Sequence, residues 1–157
     1  MLSKRGLFTT ILWVGFLVGY LDITAAIFNF MFTSAGSPLV IFRYIASAVF
    51  GKSAFSAPNM VTYGFLFHFL IAYSFTLVFF LVYPSLPFLA KSRLLTGLLY
   101  GSFVWCIMNL VVVPFSRIGS YPAANGKTVI QLLILILAIG LPLSYLAHWY
   151  YKPRLTR

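Results

Sequence analysis

Four long apolar stretches, Leu7–Phe32, Met60–Tyr83, Leu94–Phe115 and Val129–Tyr151, take up most of this 157-residue chain. Each reaches the ~20 apolar residues that a helix needs to cross a bilayer. Hydrocarbon offers no partner for a backbone N–H or C=O, so a spanning segment must satisfy those groups within itself, as a helix does. The composition agrees: 62% of residues are hydrophobic, 8% are charged and the mean hydropathy is +1.00, where a soluble domain carries about 25% charged residues. The expected fold is an all-α membrane protein, a four-transmembrane-helix bundle forming one integral domain over residues 1–157.

The links between spans are short and leave no room for a soluble domain. Lys4 and Arg5 precede the first stretch and small residues follow it at Thr33-Ser34-Ala35. Its apolar run is nonetheless far longer than the 7–15 residues of a signal peptide core, so it reads as a retained span. The net charge of +10 comes from eleven Lys and Arg against one acid. These cations flank the apolar runs, which is the pattern of anchors on anionic lipid headgroups and not of a nucleic-acid surface. With four spans, Lys4, Arg5, Lys91, Arg93, Lys152, Arg154 and Arg157 share one side, and Arg43, Lys52, Arg117 and Lys127 the other. The richer side is the cytoplasmic one by the positive-inside rule, so both termini are expected there. Trp149, Tyr150 and Tyr151 beside Lys152 read as an interfacial aromatic anchor on that side.

The link after the first span carries a further segment, about 38–50. Leu39, Phe42, Ala46 and Val49 recur at helical spacing, with Arg43, Ser47 and Lys52 elsewhere. This is a short amphipathic helix, lying on the outer surface or dipping in as a re-entrant piece.

Asp22 is the only acidic residue, and it sits inside the first span. A carboxylate at that depth costs several kcal/mol, roughly 2.5–3.5 on insertion scales, which makes it a site candidate. Gly15, Gly19, Asp22, Ala26 and Asn29 fall on one helix stripe, and Gly64, His68 and Ala72 on another. Small residues on such stripes let helices approach, as in the GxxxG pairs Gly15/Gly19 and Gly97/Gly101. Asp22 lies eleven residues before Thr33 and His68 nine after Asn59, so at ~1.5 Å per residue they sit roughly 16 and 14 Å from the same membrane edge. The two are expected to meet near mid-membrane, with Arg43 a competing partner for Asp22 if its segment dips inward. Asn29, Asn109 and Gln131 extend the polar set toward the outer side. Two readings stay open: interhelical hydrogen-bonding glue, or a proton or cation position in a small polar cavity.

The absences bear on enzymology. One carboxylate per chain is too few for two-metal phosphoryl transfer or a carboxylate pair, unless two copies each supply Asp22. No HExxH, P-loop or GxSxG is present, so no catalytic residue, metal site or cofactor is expected. Cys106 is the single cysteine and reads as a small apolar side chain. His68 and His148 lie at different depths and cannot be two ligands of one haem in a monomer. Pro142 should free the Ala138 carbonyl and kink the fourth span. Paired cations leading into Gly-bearing spans at both Lys4-Arg5 and Lys91/Arg93 hint at a duplicated hairpin.

Several runs carry a family likeness: Gly19-Tyr20-Leu21-Asp22-Ile23, Ile45 through Phe55, Gly64 through Ala72, and Leu99-Tyr100-Gly101 leading to Met108 through Ser116. Together they resemble an uncharacterised family of small four-span bacterial inner-membrane proteins. The resemblance covers most of the chain and implies location and architecture, with no activity attached. It draws attention to Asp22, Arg43, Gly51, His68, Asn109 and Pro114, and this chain carries more aromatic bulk than the family would suggest. Two functions are expected from these residues. One is a transport or permeation component using the Asp22/His68 cluster. The other is a non-catalytic assembly partner of another membrane protein or of a second copy.

Overall fold

The computed structural model describes residues 6–155 except Ala124, with side chains as far as Lys152. Lys4, Arg5 and Arg157, and the side chain of Arg154, lie outside that description. The described chain is helical throughout, without a strand, and four of its helices are long and apolar enough to cross a membrane. They are α1 (Leu7–Thr33), α3 (Met60–Ser85), α4 (Arg93–Phe115) and α5 (Gly126–Lys152). The short helix α2 (Leu39–Phe50) and a 3₁₀ turn (Gly51–Phe55) fill the link between α1 and α3.

Helix ends follow from local chemistry. α5 begins three residues before its apolar run because the Asn125 side chain accepts hydrogen bonds from the Lys127 and Thr128 amides, at 3.1 and 3.3 Å. A capped polar turn can thus precede the membrane-buried part. Ser92 caps α4 in the same way through Leu95 N–H at 3.3 Å. α2 stops at Gly51, whose φ of +64° suits a residue without Cβ.

Pro114 and Pro142 do not break their helices. Each is preceded by a π-helical stretch, Ile107–Val112 in α4 and Ile136–Gly140 in α5. A proline ring clashes with the carbonyl four residues back, Leu110 and Ala138 here, and the wider π turn moves that carbonyl aside.

Glycines set the closest approaches. Gly97 and Gly101 of α4 meet Leu141, Ile136 and Gly140 of α5, and a Cβ on Gly101 would stand 2.5 Å from the Ile136 Cα. Gly15 and Gly19 of α1 lie against Tyr73, Phe69 and Ala72 of α3. Gly64 faces the Phe42 backbone of α2, so the Gly64/His68/Ala72 stripe serves two neighbours and not α1 alone. One apolar core, including Val18, Phe80, Tyr83, Val104, Leu143 and Tyr151, joins α1, α3, α4 and α5. Large apolar side chains such as Leu70 and Leu137, both 63% exposed, cover the outside. Such a surface suits contact with a membrane or with another protein.

One sequence reading needs correction. Tyr150 and Tyr151 are not interfacial anchors: they are 3% and 4% exposed, and only Trp149 points out. Pro84 has no N–H to give the Phe80 carbonyl, and the Tyr151 hydroxyl donates to that carbonyl instead, at 2.8 Å. The short helix expected at about 38–50 is present as α2, and its apolar stripe Leu39/Phe42/Ala46/Val49 is divided between the protein interior and the outside. Phe42 and Ala46 are buried while Leu39 and Val49 are about half exposed, because α3 contacts α2 along Phe42, where Gly64 lets the backbones meet.

Candidate functional site: a cavity between α1, α2, α3 and the two π segments

The cavity follows from the stripe on α1. Asp22, Ala26, Asn29, Phe30 and Thr33 recur at three- and four-residue steps and all line it. α3 adds His68, Ile71, Ala72 and Phe75, α2 adds Val40, Ile41, Tyr44 and Ile45, and Phe55 joins from the 3₁₀ turn. The far wall comes from around the π segments, with Val104, Met108, Asn109 and Val113 on α4 and Gln131, Ile134 and Ile139 on α5. The volume is about 570 Å³, within the ~300–1,000 Å³ range of small-molecule sites.

The cavity has a direction. Thr33 and Ser34 at the end of α1 and Lys127 at the start of α5 are exposed and form its rim. Asp22 lies three helical turns deeper, ~16 Å at 1.5 Å per residue. Beyond that depth Val18, Tyr83 and Leu143, all within 1% of full burial, close the path. A smaller recess of about 200 Å³ shares Tyr44, Asn109, Val113, Lys127 and Gln131 with it and adds Ser120, Tyr121 and Asn125. The mouth is therefore polar and the interior apolar, with one carboxylate inside.

His68 is held against α1. The His68 Nε2–H donates to the Gly19 carbonyl at 2.8 Å, in a buried contact between α3 and α1. A carbonyl only accepts, so Nε2 carries a proton in this contact. Asp22 lines the same cavity within electrostatic reach of the His68 imidazole, and no described residue is seen to donate a hydrogen bond to its carboxylate. Asn109 donates one Nδ2–H to the Trp105 carbonyl at 3.1 Å, which leaves its amide oxygen and its second N–H for other partners.

Arg43 is elsewhere. Its Nη1 donates to the carbonyls of Phe55 and Ala54 at 2.8 and 3.3 Å and faces Ala57 O at 3.5 Å. It closes the turn after α2 and takes no part in the cavity wall, so it is not the partner of Asp22. His148 sits apart, its Nδ1 3.1 Å from the Tyr83 hydroxyl. Two lining residues, Tyr44 and Lys127, do not stand out from the sequence. Tyr44 follows Arg43 on α2 and was masked by the apolar stripe assigned there, while Lys127 was counted only as a headgroup anchor.

Among the described residues no group of three or more His, Cys, Asp or Glu could hold a metal ion. The arrangement can instead receive a positively charged or hydrogen-bond-donating group at Asp22. Compared with protein-family models, with curated proteins and with solved structures, the chain matches none.

Proposed function

We propose that this chain is a small, non-catalytic four-helix membrane bundle that admits a monovalent cation from one membrane face to Asp22, as a transport or permeation component. One observation carries the reading: the only acid in the chain lines a cavity of about 570 Å³, with the His68 imidazole as its charge neighbour and no cation beside it. An ionisable side chain at membrane depth costs several kcal/mol and is retained for a function. The likeness to small four-span bacterial proteins supports an inner-membrane location. The cation asymmetry supports cytoplasmic termini with flanking Lys and Arg on anionic headgroups. The cavity mouth then faces away from the cytoplasm, and α2 forms part of its wall.

Charge movement tests this. Purified protein in liposomes under a potassium diffusion potential is offered protons, sodium and a series of alkylammonium ions, with a potential-sensitive dye as readout. Wild type should dissipate the potential with at least one of them and Asp22→Asn should not. No dissipation above protein-free liposomes with any of these cations rejects the proposal.

A second reading, assembly with another membrane protein or a second copy, draws on α4. Only 11% of its apolar window is buried inside the chain, against 28–33% for the other spans. A monodisperse single-chain mass in gentle detergent counts against that reading.

A further inference from the structure

We infer that the occupant of the cavity is an amphipathic organic ammonium, a donor-bearing cationic head on an apolar body, rather than a bare inorganic ion. This rests on the cation reading above and narrows it to a chemical class.

The head group follows from the polar atoms left free. Asp22 offers two carboxylate oxygens. His68 spends its Nε2–H on the Gly19 carbonyl, and Asn109 spends one Nδ2–H on the Trp105 carbonyl and keeps its oxygen and a second N–H. The one charged group inside the cavity is an acceptor, which calls for an N–H donor of positive charge. A dehydrated metal ion needs several oxygen or nitrogen ligands converging on one point, and no cluster of three His, Cys, Asp or Glu exists among the described residues.

The body follows from the walls. Ile71, Phe75, Val104, Met108, Ile134 and Ile139 line the space around Asp22. The volume of about 570 Å³ far exceeds what an ion with a water shell occupies. Apolar walls around one charged group are the arrangement that recognises a drug-sized amphiphile. Lys127 at the rim faces water, where salt screens its repulsion of an incoming cation. It also disfavours a second positive charge at the outer end of the ligand.

Binding in detergent, where no membrane barrier is needed, tests the class separately from transport. Hexyl-, octyl- and dansylcadaverine ammonium ions are titrated by calorimetry against wild type, beside octanol and N-acetylated dansylcadaverine. At least one ammonium should saturate at one site per chain below about 1 mM, with its neutral counterpart at least thirtyfold weaker. Asp22→Asn should weaken the ammonium by a similar factor, since removing one partner of a buried charge pair is costly. Ala26→Phe keeps the charge and fills the space beside it, and should abolish binding while the protein still elutes as a folded species. The inference is overturned if no ammonium saturates, or if Asp22→Asn binds like wild type. Binding without any charge movement in liposomes overturns the transport reading and leaves this one standing, whereas proton movement without ammonium binding does the reverse.

Discussion

The Gly19 carbonyl of α1 and the His68 Nε2 of α3 lie 2.8 Å apart. The contact exists because Gly19 has no side chain: a Cβ there would stand 3.0 Å from Phe69 Cε1 and 3.1 Å from Ala72 Cβ. The glycine brings the helices together, and the imidazole then fixes their register at the depth of Asp22. The same bond places a proton on the ring's Nε2.

Replacing His68 should therefore loosen the α1–α3 contact without collapsing it. Hydrogen bonds between membrane helices contribute about 0.6–1.7 kcal/mol, so His68→Leu should lower unfolding stability in mixed micelles by about 1 kcal/mol. His68→Gln keeps a donor within reach and should recover part of that loss. Equal losses for both variants would mean the hydrogen bond contributes nothing and shape alone matters.

Asp22→Asn should behave in the opposite sense. Only the His68 imidazole offsets the carboxylate's charge, and a charge is expensive at this depth. The variant should match or exceed wild-type stability, by up to about 2 kcal/mol. A clear loss on thermal unfolding at neutral pH would place the ionised group inside the packing and remove the basis for a ligand site.

Residues differ in how far their role could be read before the structure. Four helices of membrane length were legible from length and apolarity alone, since hydrocarbon leaves a backbone no other choice. The stripe through Asp22, Ala26 and Asn29 was legible from spacing, because steps of four and three residues keep them on one helix face. What covers a stripe was not legible. Gly64 and His68 are one turn apart on α3, yet one meets α2 and the other α1. Spacing defines a face but does not name the neighbour. The π segments were hidden too: the prolines pointed to a kink, and widening the turn is another way to clear the same clash. Arg43 was judged by its charge, whereas its donors were needed by the carbonyls of a turn that no apolar pattern announces.

Arg43 should matter to that turn more than to any ligand. Its guanidinium ties α2 to the carbonyls at the end of the 3₁₀ turn, and charge-assisted hydrogen bonds of this kind are worth about 1.5–3 kcal/mol. Arg43→Leu should cost an amount in that range and raise hydrogen exchange over residues 51–59. Arg43→Lys should restore only part, since a point charge cannot reproduce the planar fork. Ammonium binding by Arg43→Lys at wild-type strength is expected, and its loss would mean that the turn positions the Tyr44 side of the cavity.

The glycines give the sharpest comparison, because the same Gly→Ala change meets different atoms. At Gly64 the new methyl runs into the Phe42 backbone, which cannot move unless α2 shifts as a whole. Overpacking against backbone costs about 1–3 kcal/mol, and the shift would also displace Val40, Ile41 and Tyr44 from the cavity wall. At Gly15 the methyl meets the Tyr73 ring. That side chain can swing away, giving up its hydroxyl bond to the Leu12 carbonyl at 3.2 Å. The helix regains up to about 1 kcal/mol of propensity in exchange. Gly64→Ala should therefore be clearly destabilised in mixed-micelle unfolding and bind an ammonium probe weakly, while Gly15→Ala stays within about 1 kcal/mol of wild type. Similar stabilities for the two variants would show that α2 rides on α3 loosely, and that the cavity wall it supplies is not fixed by the Gly64 contact.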